Sequence, residues 1–295
     1  MLDADDLRTF LQVAEAGGLT AAARRLGLSK SIVSRRLIRL ESDLGAQLFS
    51  RTTRGAVLTE AGATLREHAI RVVAELDAAC DAIGADGELR GRLRIAAALS
   101  FGPTHLAPIL AELALLHPQL HIHAAYSDRF VDLVAEGFDV GIRLGYLSDS
   151  NLLARRIAPV LGRIVASPSY IARYGAPQTP ADLIEHEALL AQRPEWRLRD
   201  GDGYITVRLR SRFSADNGQA LLAAALRGLG LALMPDFLAA PYLKTGELVP
   251  VLEAYPVPEG GLYIVRPPGD HMPRKVRVLT DLLVERIGDC DQVNS

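Results

Sequence analysis

Cysteine is almost absent from this chain of 295 residues, which holds only Cys80 and Cys290. The two are far apart and match no metal-ligand or redox spacing. A reduced, cytoplasmic protein is therefore expected, without a disulfide framework or a cofactor. Net charge is nearly absent too. Lys and Arg number 33 against 35 Asp and Glu, a formal −2, so the whole molecule carries no nucleic-acid signal. No apolar run is long enough to span a membrane. The start, Met1-Leu-Asp-Ala-Asp-Asp6, is acidic and lacks the basic segment and apolar core of a signal peptide. Catalytic constellations are missing as well. No nucleophile-elbow serine occurs, Gly228-Leu-Gly230 has no glycine three residues on, and Asp200-Gly-Asp-Gly203 lacks the downstream glutamate of a calcium loop. With 49% hydrophobic and 23% charged residues, what is left is an ordinary globular chain with room for two or three domains.

The charge that is present is unevenly placed. Between Thr20 and Arg54 lie Arg24, Arg25, Lys30, Arg35, Arg36, Arg39, Arg51 and Arg54 against Glu41 and Asp43, eight cations to two anions and a net of +6. A basic patch on one small module is the footprint of a phosphate-binding surface. The same stretch reads as two helices joined by a tight turn. Thr20 is a candidate N-cap and Gly27 a stop for the first, and Ser29 a candidate N-cap for the second. Val33, Leu37, Leu40 and Leu44 give the second helix an apolar stripe. Lys30, Ser31, Ser34 and Arg35 sit near its start and off that stripe, where a recognition helix meets base edges. An earlier helix is expected from Asp3 to Ala16, with Leu7, Phe10, Leu11 and Ala14 on one face and Gly17-Gly18 ending it. After Gly45, short strands at Leu48-Phe49 and Val57-Leu58 flank Arg51-Thr52-Thr53-Arg54-Gly55, a wing whose tip suits phosphate or the minor groove.

One long helix follows from Thr59 to Ile83. Leu65, Ala69, Val72, Val73, Leu76, Cys80 and Ile83 form its apolar stripe, which makes it a candidate dimerisation helix. Ala85 to Gly91 reads as a hinge. Beyond it strands and helices alternate, with strands at Leu93–Ala97, Leu120–Ala125 and Asp139–Arg143. Helices are expected from Gly102-Pro103 to Leu116 and from Phe130 to Glu136. A second set holds strands at Ile164–Ala166, near Leu189 and Trp196, at Tyr204–Arg210 and at Leu231–Pro235. Helix starts lie at Ser167-Pro168, Thr179-Pro180 and Asp216-Asn217-Gly218. Strand Leu262–Val265 and a helix from Pro273 to Ile287 close the chain. This grammar predicts parallel sheets in two lobes, with ligand clefts at strand ends.

Asp6 to Ser29 resembles the start of LysR-type transcriptional regulators. So do Val33 to Gly45, Leu48-Phe49, Arg51-Thr-Thr-Arg54 and Leu58-Thr-Glu-Ala-Gly62. Phe138-Asp-Val-Gly-Ile-Arg143, Pro180-Ala-Asp-Leu183 and Gly228-Leu-Gly-Leu-Ala232 are similar to the family's effector domain. Lys30 departs from the family, which often has Gln there. The resemblance implies an N-terminal winged helix-turn-helix, mainly α, over 1–58, then a linker helix and hinge over 59–91. An α/β two-lobed, periplasmic-binding-protein-like effector domain then fills 92–295, with lobe I at 92–162 and 267–295 and lobe II at 163–266. It implies a regulator that is not an enzyme and that binds double-stranded operator DNA and a small-molecule co-inducer. Pairing through the linker helix into a homodimer and then a homotetramer is implied, with RNA polymerase as a further candidate partner.

The residues expected to meet DNA are Thr20, Ser29, Lys30, Ser31, Ser34, Arg35 and Arg36, with Arg51, Thr52, Thr53 and Arg54 in the wing. Arg36 and Arg39 also have Glu41 and Asp43 as alternative partners. Three strand-to-helix junctions, Ser100-Phe101-Gly102, Tyr126-Ser127-Asp128 and Asp216-Asn217-Gly218, offer backbone N–H groups and hydroxyls suited to a carboxylate. The expected effector residues are thus Ser100, Phe101, Gly102, Ser127, Asp128, Arg143, Asn217 and Gly218, and the expected ligand is a small anionic metabolite. Arg163 is another candidate anion partner, with a structural ion pair as its alternative. His117, His121 and His123 have no thiol or carboxylate placed with them and read as structural rather than as a metal site.

Overall fold

The computed structural model describes residues 2–52, 55–83, 88–129, 131–147, 151–191, 193–269 and 272–288. They divide into two compact units, the first built principally on residues up to 87 and the second on the remainder.

In the first unit, helix α1 (Ala4–Ala16) starts where the Asp3 carboxylate accepts the Asp5 N–H at 2.8 Å. Helix α2 (Leu19–Leu26) and helix α3 (Lys30–Leu44) follow, and Ser29 Oγ caps α3 through the Ile32 N–H at 3.3 Å. Apolar side chains at helical spacing then close a core of Leu7, Phe10, Val13, Ala22, Ala23, Val33, Leu37, Leu40 and Leu48. Two expectations fail in detail. Thr20 lies in the first turn of α2, which begins after Gly18, so Thr20 is not its cap. Leu44 is exposed, one turn beyond the last buried stripe residue.

Strands β1 (Phe49–Thr52) and β2 (Gly55–Leu58) pair antiparallel. The wing tip at Thr53 and Arg54 lies outside the described residues. Helix α4 (Glu60–Ile83) runs for 24 residues. Thr59 starts it, donating its hydroxyl to the Gln47 carbonyl at 2.6 Å and accepting the Gly62 N–H at 3.0 Å. On its stripe Ala69 is buried and Leu65 and Val73 pack on the core, whereas Val72 and Leu76 are exposed.

The second unit is built on two five-stranded sheets. The first contains β3 (Gly91–Ala97), β4 (Leu120–Tyr126), β5 (Val140–Gly145), β6 (Leu153–Val160) and a late strand, in the order β4-β3-β5-late strand-β6. Strand β3 runs parallel to β4 and β5. Between β3 and β4 lie a π-helical turn (Gly102–Leu106) and α5 (Ala107–Leu116). Helix α6 (Leu133–Glu136) precedes β5; the expected start at Phe130 lies outside the described residues.

The second sheet follows from β7 (Gly162–Ala166), α7 (Pro168–Tyr174), a 3-10 turn (Pro180–Glu185) and β8 (Glu187–Leu190). A hairpin of β9 (Glu195–Asp200) and β10 (Gly203–Arg208) comes next, turning at Asp200-Gly-Asp-Gly203. Then come β11 (Arg210–Ser214), α8 (Gly218–Leu226), β12 (Leu231–Pro235), α9 (Asp236–Thr245) and β13 (Val249–Val251), with sheet order β11-β8-β12-β7-β13. The single expected strand over Tyr204–Arg210 is therefore two strands in different sheets, broken at the buried Leu209.

The late strand of the first sheet is β14 (Gly260–Arg266), which lies antiparallel between β5 and β6. The expected limit of lobe II at residue 266 is thus too late, because the chain has already returned to the first sheet by Gly260. Helix α10 (Arg274–Ile287) follows β14. Its buried Lys275 reaches Asp139 at 3.1 Å and donates to the Arg92 carbonyl, while the same aspartate accepts the Arg94 N–H at 2.7 Å.

In the second lobe the buried Tyr170 hydroxyl accepts the Glu187 N–H and meets His186 Nδ1, both at 3.1 Å. Burial pushes His186 below its ordinary range, against a smaller upward pull from Asp182 and Glu185. Burial also lowers His105. Such a histidine protonates in the unfolded chain first, as pH falls through about 6.5, so the unfolded state then binds more protons and stability drops. Urea unfolding of the second unit is expected to show a loss between neutral and mildly acidic pH that His186→Asn reduces. An undiminished loss in that variant would contradict this role.

Candidate DNA-reading face and effector cleft

Helix α3 presents two cationic faces, and they differ in their partners. At its start Lys30, Ser31 and Arg35 are exposed and Ser34 is half-buried. Ser29 Oγ lies 2.8 Å from Ser31 Oγ, which ties the two hydroxyls to the cap. Among the described residues neither Lys30 nor Arg35 forms an ion pair; Arg35 projects on the side opposite Val33, Leu37 and Leu40, and Lys30 is exposed at the first position of the helix. Sequence reasoning missed Ile38, which is 57% exposed one turn beyond Arg35. An apolar side chain off the buried stripe was its only signal, and it suits contact with a thymine methyl.

The other face is neutralised from within. Arg36 donates to Asp5 at 2.9 Å and to Thr9 Oγ1 at 3.2 Å. Arg39 clasps the buried Asp6 through Nε at 2.5 Å and Nη2 at 2.6 Å, and reaches Asp3 at 3.3 Å. That hydrogen bond to Asp6 raises the Arg39 pKa further. Arg36 is therefore held against α1 by Asp5 and Thr9, and Arg39 by Asp6 and the cap residue Asp3. Glu41 serves elsewhere, accepting the Leu48 and Phe49 N–H groups. Arg51 and Thr52 fall on β1, where only their backbone is described.

In the second unit the three junctions meet. Asp128 Oδ1 accepts the Leu99 N–H at 2.8 Å, and its Oδ2 accepts the Asn217 amide at 2.8 Å. Asn217 Oδ1 caps α8 through the Ala220 N–H at 3.1 Å. A Cβ on Gly218 would stand 3.5 Å from Ser100 Cβ. Ser100, Asp128, Asn217 and Gly218 thus face one another across the lobes. Ser127 Oγ accepts the Arg129 N–H at 3.3 Å.

Three expected effector residues have partners within the second unit. Phe101 is fully buried, with its ring 5.0 Å from His105 and 5.5 Å from Phe237. The N–H groups of Phe101 and Gly102 both turn back to the Ala98 carbonyl, so this junction does not offer them to a ligand. Gly102 lets the Tyr126 ring pass, since a Cβ there would collide with it. Arg143 donates to the Val131 carbonyl at 2.9 Å. Arg163 is paired with the buried Asp236 at 2.8 Å and with Glu253 at 3.7 Å. His117 Nδ1 accepts the Leu89 N–H. Among the described residues no group of three or more His, Cys, Asp or Glu is placed to hold a metal ion, and no helix is long and apolar enough to cross a membrane.

Comparison with known proteins agrees with this architecture. Residues 4–63 match the family described as bacterial regulatory helix-turn-helix protein, lysR family, and residues 86–288 match the LysR substrate binding domain. An HTH-type transcriptional regulator of Xanthomonas campestris pv. campestris is 37% identical, over 97% of this chain and 86% of its own length. PtxR of Pseudomonas aeruginosa, also an HTH-type transcriptional regulator, is 36% identical over 97% of this chain and 94% of its own. Among solved structures, full-length AphB, the Vibrio cholerae virulence activator, superposes with a TM-score of 0.60 at 29% identity, covering 96% of this chain and 99% of AphB. CrgA of Neisseria meningitidis gives 0.59 at 30%, covering 97% and 100%. A helix-turn-helix unit ahead of a two-lobed ligand-type domain, in a chain whose relatives are named regulators and not enzymes, places this chain in the LysR family of DNA-binding transcriptional regulators.

Proposed function

We propose that the chain reads operator DNA with the start of α3 in the major groove and the β1–β2 wing against the backbone, as a homodimer paired through α4. Ser29, Lys30, Ser31, Ser34 and Arg35 are the reading residues, and Arg51, Thr52, Thr53 and Arg54 are the wing contacts. Thr20, exposed in the first turn of α2, adds a phosphate contact. The observation that carries this is the division of labour on α3: Arg36 and Arg39 are held by Asp3, Asp5 and Asp6, while Lys30 and Arg35 face outward. Exposed Val72 and Leu76 on α4 supply the apolar seam for pairing, and a second pairing to a tetramer follows the family pattern. The effector is a small metabolite with an anionic group, seated between the lobes near Ser100 and Ser127 at the N-terminus of α8. The protein acts in the cytoplasm, with RNA polymerase as the downstream partner.

A gel-shift series on promoter fragments tests the reading. Arg35→Ala is expected to weaken specific binding about 10–100-fold and to relax base preference at one position. Affinity for the parent should fall steeply with salt. Arg36→Ala should lower stability without changing base preference. Equal affinity and selectivity in Arg35→Ala and parent would overturn the placement of α3.

A further inference from the structure

The carboxylate of Asp128 stands in the cleft where an anionic ligand is expected, and it touches both lobes. It accepts the Leu99 N–H of the first lobe and the Asn217 amide of the second, each at 2.8 Å. Asn217 is also tied to α8, because its Oδ1 caps that helix at 3.1 Å. At Gly218, the next residue, an added Cβ would stand 3.5 Å from Ser100 Cβ, so the start of α8 lies close to Ser100. Carboxylate and amide thus meet between the lobes beside Ser100.

Resting on the cleft reading above, we infer that Asp128 sets the class of the effector: a small carboxylic acid that also carries a hydrogen-bond donor, a hydroxyl or an ammonium, to replace the Asn217 amide at Asp128. A carboxylate side chain offers acceptors only. An acid with no other polar group brings more acceptors toward it, so it meets repulsion and leaves the Asn217 contact in place. A hydroxy or amino acid exchanges one donor for another, and no acceptor is left unmatched. A site built to bind a donor rejects the analogue lacking it, because its own polar group is then stranded. The exchange also has a mechanical result. Asn217 is fixed to α8, so freeing its amide from Asp128 removes one hydrogen bond between α8 and the first lobe, while the Phe101–Phe237 ring contact remains. Recognition of the ligand and release of that tie become one event.

The test uses the full chain and two matched series, propionate with lactate and alanine, and succinate with malate and aspartate, in both enantiomers. Binding is read by calorimetry and thermal shift. In at least one series the hydroxy or amino acid should bind about tenfold or more tightly than its donor-free parent. Asp128→Asn, which keeps the size and removes the acceptor-only character, should bring the pair to within about threefold. Asn217→Ser keeps a capping oxygen on α8 and removes the competing donor, so it should tighten the same ligand. Its readout stands if Asp128→Asn does not fold. Equal binding of the donor-free parent, an undiminished ratio in Asp128→Asn, or no binding in either series overturns the assignment to Asp128. Tight binding of a donor-free acid that Ser100→Trp abolishes would leave the cleft reading standing. A bound compound indifferent to Ser100→Trp would remove the cleft reading itself.

Discussion

Phe10→Ala is expected to destabilise the first unit by about 3–5 kcal/mol. Phe10 is fully buried, and its ring packs on Phe49 at 5.4 Å with a tilt of 51°. Around it lie Leu7, Val13, Val33, Leu37 and Leu40, so it touches α1 and α3 and the first wing strand at once. Truncation removes the transfer energy of the ring and leaves a cavity that these neighbours fill only in part. Natural domains hold about 5–15 kcal/mol in total, so most of the margin goes. DNA binding should vanish at growth temperature while the second unit keeps its own unfolding transition. Urea unfolding followed by circular dichroism measures this. A loss below about 1 kcal/mol would mean that Phe10 is not the centre of the core.

Gly62→Ala is expected to separate the base of α4 from the wing. A Cβ at Gly62 would lie well inside contact distance of the Leu48 carbonyl oxygen, and that oxygen already accepts the Thr59 N–H at 3.0 Å. The obstacle is backbone on both sides, so no rotamer change relieves it. Helix α4 must shift instead, at a cost of about 2–3 kcal/mol, and the Thr59 contacts to Gln47 and Gly62 shift with it. A thermal scan should show the lower midpoint. Operator affinity should fall more than the stability loss alone explains, because the wing is repositioned. A variant with parental midpoint and parental affinity would contradict this close approach.

The N-terminal elements were legible because their signals are local. Ser29, Gly27 and the Val33, Leu37, Leu40 spacing lie within a few residues of what they determine. Arg36 was not legible: its partners Asp5 and Thr9 are 31 and 27 residues away, and no spacing rule links them. In the second unit the helix opening at Asn217 was readable from capping chemistry. Three other elements were missed. Strand β6 reads Leu-Ala-Arg-Arg-Ile-Ala-Pro-Val, with arginines and a proline inside it. Helix α9 contains Pro241, which argues against a helix on local grounds. Strand β13 is only three residues long. Phe101 was misjudged because a junction in sequence does not say whether its N–H groups point outward; here both turn to Ala98.

Strand β14 fills the gap between β5 and β6, and Lys275 of α10 ties that sheet to Asp139 and Arg92. Every strand of the other sheet lies between these pieces in the chain. During synthesis the first lobe is therefore begun early and finished last. Its β5 and β6 emerge with their facing edges unpaired and wait while the whole second lobe is made. Nascent chains of this protein thus carry an open sheet while residues 161–259 are made, an interval in which unpaired strand edges are exposed to wrong pairing.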